Sequence, residues 1–300
     1  MSSDYVSRLR SELLRAGAPQ PARRRAKRAL RQLRPLAVAA AIVAIVAAVV
    51  LSLPDGTERE VAAGTVRLEY RVQPAAAAED TALCLRDRLS RLGVEGASVS
   101  ATATGVTITA PAAARADVAA ITQPGAFAIY DWELSVLGPG GQPAPDDASV
   151  TGGEDAGHSA AISEREAKAR GRAVQAPDGR WFALGDTRVL TNAEVESAEP
   201  STDTMIHEPI VVIHLTAEGQ RAFRELTRGL ARRGAAVTAN QHLAITFDDR
   251  LASVPYLDWR RAPDGIGGDV QIAGGLTPQS ARQIAAILSA GALPATLSPG

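Results

Sequence analysis

The sequence predicts an α+β protein in which one membrane-spanning helix precedes two α+β units, the first in ferredoxin-like βαββαβ order. Three observations predict it. Leu36–Leu53 is an uninterrupted apolar run. Residues 65–134 alternate between strand-type and helix-type periodicity. Residues 177–300 repeat that alternation after an interval dominated by Gly, Pro, Asp and Ser.

The run Leu36–Leu53 (LAVAAAIVAIVAAVVLSL) has 18 residues and no charge, Gly or Pro. At about 1.5 Å per residue it reaches roughly 27 Å, close to the hydrocarbon thickness of a bilayer. Pro35 suits a first helical turn, and Pro54-Asp55-Gly56 reads as the turn that ends the run. Residues 1–34 hold ten basic and two acidic residues, net +8, whereas the rest holds 22 basic and 31 acidic, net −9. Arg23, Arg24, Arg25, Lys27, Arg28, Arg31 and Arg34 lie just before the span, so the positive-inside rule puts residues 1–35 in the cytoplasm. Everything after Leu53 is then exported, which predicts a single-pass cell-membrane protein with an extracytoplasmic domain. A buried helix leaves the basic flank without a role. A cleaved signal peptide would need a small-residue site nearer the run than Val61-Ala62-Ala63. The basic stretch beside a span points to topology and the lipid bilayer, and an acidic body to no nucleic-acid partner. Residues 4–16 suit a short amphipathic helix or a loose tail.

Residues 54–64 form a tether. In the base unit, 65–134, Val66–Val72 alternates apolar and polar as a half-buried strand. Glu79–Leu92 spaces Leu85, Leu89 and Leu92 as a helix that Gly93 terminates. Ala97–Ala103 and Val106–Ala110 form a hairpin about Thr104-Gly105. Pro111 opens a helix containing Val118 and Ile121, and Ala126–Glu133 is expected to close the sheet as its fourth strand. Residues 135–176 are a linker with a short helix at 163–172, capped by the box Ser163-x-x-Glu166. In the second unit, 177–300, Arg180–Leu184 and Arg188–Leu190 are short strands about Gly185-Asp186. Ile210–Leu215 is a buried strand, and Thr216 caps a helix to about Arg232 that buries Phe223, Leu226 and Leu230. Leu243–Phe247 and Leu251–Val254 join through Asp248-Asp249, and Asp269–Ile272 is a further strand. Thr277-Pro278 starts a last helix with Ala281, Ile284, Ala285 and Leu288 on one face, ended by Gly291.

The residues supply no catalytic set, metal site or cofactor site. The four histidines, His158, His207, His214 and His242, form no H-E-x-x-H pattern. A zinc site from His207, Glu208 and His214 would need ligands from both a proline turn and a strand interior. Gly265–Gly268 precedes a strand, which suits a hairpin loop better than a phosphate cradle. Asp248-Asp249 reads as a turn rather than a carboxylate pair. Cys84, the one thiol, reads as a partly buried helix residue.

Two stretches resemble a known family. Leu85-Arg86-Asp87-Arg88-Leu89-x-x-Leu92-Gly93-Val94 is similar to the I-R-N-R-V-x-x-L-G-V helix of SecD, an accessory subunit of the bacterial protein-export translocon. Val211–Arg232 resembles V-x-F-x-L-x-x-E-G-A-x-x-F-x-x-L-T, and Leu243–Pro255 resembles L-A-I-V-L-D-G-x-V-x-S-A-P. Gln271–Gly274 with Thr277–Leu297 resembles the segment that closes the first extracytoplasmic domain of SecD. That domain has base and head parts, so residues 177–300 are expected to be head-like. The G-L-D-L-x-G-G motif of SecD is missing at Gly64–Glu69, and its five later membrane helices have no counterpart here. The resemblance therefore implies a membrane-anchored, non-catalytic binding domain accessory to protein translocation, not a proton-driven motor. Its expected partners are exported polypeptide and the Sec translocon. Arg224, Arg228, Asp248, Asp249 and Arg250 are the expected polypeptide-binding residues. The same layout also suits a single-pass regulatory or sensor protein with an external ligand-binding domain.

Overall fold

A computed structural model describes residues 57–62, 64–138, 141, 161–176, 179–204, 207–273 and 276–300. Leu36–Leu53, the basic cluster before it and most of the 135–160 interval lie outside those residues. No helix among the described residues is long and apolar enough to cross a membrane.

The expected tether over 54–64 is instead largely part of the base sheet: its residues Thr57–Ala62 form strand β1, which pairs antiparallel with β2 (Thr65–Gln73). The β2 side chains Val66, Leu68, Tyr70 and Val72 are all buried, as the alternation predicts. Helix α1 (Ala78–Leu92) lays Ala78, Ala82, Leu85 and Leu89 on that face. It ends at Gly93, which takes the left-handed conformation (φ 70°) and donates to the carbonyls of Leu89 and Ser90. Strands β3 (Ser98–Ala101) and β4 (Gly105–Pro111) form the expected hairpin, and α2 (Arg115–Ile121) buries Val118 and Ile121.

The next strand, β5 (Phe127–Asp131), departs from the expected topology. It does not close the base sheet; it lies between two strands of the second unit. The reason is visible in its burial, for all five residues are buried. Phe127 and Ile129 join one apolar core, and Ala128 and Tyr130 join another on the opposite face. A strand buried on both faces belongs at the centre of a larger sheet. The vacant edge of β2 is filled from the far end of the chain, by Thr296–Pro299, which pairs antiparallel with Tyr70–Gln73. Leu293, Ala295 and Leu297 pack against the base core with it.

After β5 come the short helix α3 (Trp132–Ser135) and the capped helix α4 (Glu164–Arg170). Then follow β6 (Arg172–Gln175), β7 (Trp181–Leu184), β8 (Arg188–Thr191) and β9 (Val195–Thr202). Strand β10 (Pro209–Leu215) leads through Thr216 into α5 (Ala217–Val237). The Thr216 hydroxyl accepts from Gly219 N–H, and Phe223, Leu226 and Leu230 are buried. Helix α5 runs to Val237, five residues past the expected end at Arg232. Strands β11 (Gln241–Phe247), β12 (Arg250–Ser253), β13 (Tyr256–Leu257) and β14 (Val270–Ala273) precede α6 (Pro278–Ala290) and β15 (Thr296–Pro299).

A three-stranded sheet has the order β14-β10-β9, and a seven-stranded sheet runs β7-β6-β12-β11-β5-β8 with β13 beside β11. Neighbouring strands in both sheets are antiparallel except β6 and β12, which meet parallel through Gln175 and Arg250. The outermost strands β7 and β8 are only a few residues apart in the chain. Four Cα steps reach at most about 14 Å, whereas five inter-strand gaps of a flat sheet measure about 24 Å. The sheet must therefore curl on itself. Its concave interior holds Tyr130, Trp132, Val174, Phe182 and Leu184, with the Trp132 and Phe182 rings edge to face at 5.3 Å.

Candidate polypeptide-contact surfaces

Helix α5 exposes Arg224 and leaves Arg228 partly exposed, and both are held beside the 264–267 loop. Arg228 Nε donates to the Asp264 carbonyl at 3.4 Å, and Ile266 N–H donates to Thr227 Oγ1 at 2.8 Å. A Cβ on Gly267 would overlap the Arg224 guanidinium, so the glycine is what lets that side chain lie across the loop. The Gly265–Gly268 segment thus acts as a strap along α5.

Asp248, Asp249 and Arg250 contact different neighbours. Asp248 (φ 51°) and Asp249 (φ 59°) both have left-handed backbones, as the tight turn between β11 and β12 requires. Asp248 Oδ1 accepts from Ala126 N–H at 2.7 Å, and its own N–H donates to the Ala126 carbonyl at 2.9 Å. Burial pushes the Asp248 carboxyl above its ordinary range, against the opposing pull of the Ala126 and Gly125 N–H groups and Arg88. Asp249 is exposed and ion-paired with Arg172. The turn edges an open groove of about 390 Å³ lined also by Lys168, Gln175 and Trp181. The five expected residues therefore fall into two places, one on the α5 flank and one at this groove.

Two polar arrangements escaped sequence reasoning. The first surrounds Arg88, which is fully buried although charged. Its guanidinium donates to the carbonyls of Ile121 and Gln123 (2.6 Å each), Pro124 (3.0 Å) and Gly291 (2.5 Å). These oxygens belong to the C-terminal ends of α2 and α6, where helical carbonyls have no internal partner and the dipole is negative. One cation thereby joins α1, α2 and α6. Gly125 (φ 75°) lies against it: a Cβ there would sit 2.5 Å from both Arg88 Nη2 and Ile287 Cγ2. The second arrangement lies where β5, α3, α5 and β11 meet. Arg233 grips both Asp131 oxygens at 2.7 Å, and Glu133 accepts from His242 N–H and contacts its Nδ1 at 2.7 Å. Asp131 and Arg233 are 102 residues apart, so no local motif announces them. Burial is the main influence on the Asp131 carboxyl and raises it; the Arg233 bonds act the other way.

His214 contacts Asp269 at 3.0 Å and Glu199 at 3.6 Å. No group of three or more His, Cys, Asp or Glu among the described residues is arranged to hold a metal ion. Cys84 Sγ faces the Ala290 and Gly291 carbonyls, and burial raises its thiol.

Residues 167–295 match the SecDF P1 head subdomain family. This part of the chain is SecD-like. It contains α5, the Asp248–Arg250 turn, the 264–267 strap and α6. Among curated relatives, the protein translocase subunit SecD of Calditerrivibrio nitroreducens is 33% identical over 114 residues, 38% of this chain and 20% of that protein. SecD of Aquifex aeolicus is 30% identical over 121 residues, 40% of this chain and 21% of its own length. The chain thus spans about a fifth of the length of the curated relatives it matches. A crystal structure of SecDF in a super-membrane-facing form aligns with 78% of this chain and 29% of its own, with a TM-score of 0.53 and 20% identity. That likeness extends the shared α+β fold beyond the SecD-like head into the base.

Proposed function

We propose that this chain is a membrane-anchored, extracytoplasmic and non-catalytic accessory of protein export, holding polypeptide on the exposed surfaces of its SecD-like head. The observation that carries the reading is the coincidence of the family match with the charged surfaces of α5 and the Asp248–Arg250 turn. Leu36–Leu53 supplies the anchor, with the bilayer as one partner and the Sec translocon as another. Arg224 and Arg228 on one side, and Asp248, Asp249 and Arg250 on the other, are the proposed contact residues. The test is deletion of the gene followed by pulse-chase of exported reporter proteins. Slower signal-sequence processing, restored by the wild-type chain, is the expected result. Normal export kinetics overturn the proposal while leaving the fold untouched, because fold does not dictate function.

A further inference from the structure

Between Arg221 and Arg232, α5 carries four arginines (Arg221, Arg224, Arg228 and Arg232) and one carboxylate, Glu225. At 3.6 residues per turn the four arginines fall within about a sixth to a quarter of the helix circumference, forming one stripe. Arg221, Arg224 and Arg232 are exposed and Arg228 partly so. Their hydrogen bonds run to backbone oxygens, Arg221 to Ala217 and Arg228 to Asp264. None of the four has a carboxylate ion-pair partner among the described residues. This is a concentrated positive strip on a body whose net charge is −9 after residue 34. At its C-terminal end the strip opens into a groove of about 400 Å³ lined by Ala231, Ala235, Trp259 and Pro263, with Arg232 and Arg260 at its sides. The Arg260 guanidinium stacks 4.2 Å above the Trp259 ring.

We infer that this stripe and groove dock an extended acidic segment of polypeptide, with a large apolar or aromatic residue of that segment seated beside Trp259. The inference rests on the polypeptide-holding reading above and adds the class of segment held. Three features select a chain over a planar anionic surface. The stripe covers no more than about a quarter of the helix circumference. The steps from Arg224 to Arg228 and from Arg228 to Arg232 each advance about 6 Å along the helix, close to the roughly 6.8 Å repeat of side chains on one face of an extended strand. Carboxylates at alternate positions of such a strand therefore meet successive guanidiniums, which bind carboxylate in forked pairs. The stripe also leads into an apolar slot, where a chain continues and a headgroup layer does not. From Arg221 to Arg232 the distance is about 16 Å, which five or six extended residues cover.

The test uses the purified full-length chain and a fluorescein-labelled twelve-residue peptide with alternating Glu and Val and one Trp near its C-terminus. Its Gln-for-Glu and Lys-for-Glu analogues are measured beside it by anisotropy. The acidic peptide is expected to bind about tenfold more tightly than the Gln peptide at low salt, with the difference shrinking as salt rises. Combined Arg224→Gln, Arg228→Gln and Arg232→Gln substitution should erase that preference. Arg91→Gln with Arg282→Gln, which removes two exposed cations away from both grooves, should preserve it. Circular dichroism verifies that both variants fold. Equal binding of the acidic and Gln peptides overturns the acidic selectivity and leaves the polypeptide-holding reading intact. Absence of binding to all three peptides overturns both. Sedimentation with phosphatidylglycerol vesicles, without acidic-peptide binding, reassigns the stripe to lipid and also overturns the inference.

Discussion

Arg88 and the arginines of α5 are the same residue type in opposite circumstances. Arg88 is fully buried, and its guanidinium charge is met by four backbone carbonyls from the ends of two helices. Burial lowers its pKa, with Cys84 and Asp248 opposing. Arg221, Arg224 and Arg232 are exposed, and none is paired with a carboxylate among the described residues. The contrast separates a cation that assembles the fold from cations open to a partner. A charge removed from water must be compensated where it stands, whereas an exposed charge already has water and can exchange it for a ligand.

The largest expected effect breaks the first half of the contrast. Arg88→Met leaves carbonyls of α2 and α6 without their donor and should cost about 3–5 kcal/mol in urea unfolding. Arg88→Lys should recover only part of it, since three ammonium donors cannot reproduce a planar fork serving four oxygens. Gly125→Ala follows, at about 2–3 kcal/mol, because it combines a left-handed backbone with a Cβ driven into Arg88 and Ile287. Thr216→Ala should cost about 1 kcal/mol by uncapping α5, with little change at the base.

Asp248 sharpens the comparison through pH. Its folded pKa is raised by burial above the ordinary 3.8. Across the interval above 3.8 the folded chain therefore binds more protons than the unfolded one, and this group's contribution to stability falls as pH rises through it. Asp248→Asn keeps the oxygen that accepts from Ala126 and removes the titration. The thermal midpoint should then decline less steeply with rising pH. Some slope should remain, because Asp131 is shifted in the same direction. The smallest effect belongs to Arg228→Gln, whose stability should stay within about 0.5 kcal/mol of wild type even though its ligand binding weakens.

The base was largely legible because its strands bury one face. The alternation of Val66 to Val72, the stripe of α1 and the hairpin at Gly105 each specify an element and its inner side. The caps at Ser163, Thr216 and Thr277 were equally plain, since each bonds an N–H three residues away. The destination of β5 was not legible. A strand apolar on both faces specifies burial but not which sheet receives it. Its replacement in the base, Thr296–Pro299, has no buried residue to mark it as a strand. The resemblance singled out Arg224 and Arg228, but Arg221 and Arg232 join them in one stripe only once the bounds of α5 are known. The Asp131–Arg233 and Glu133–His242 contacts join residues more than a hundred positions apart, so only the fold reveals them.

Crosslinking in living cells shows whether the head holds polypeptide during export, as we propose. A photoreactive residue replaces Arg228 in one strain and Asp249 in another, and an exported reporter is stalled in transit. Adducts with the stalled chain that disappear when export is blocked before translocation are the predicted result. Irradiation that yields no reporter adduct from either position, while the full-length chain is present and folded, contradicts the account.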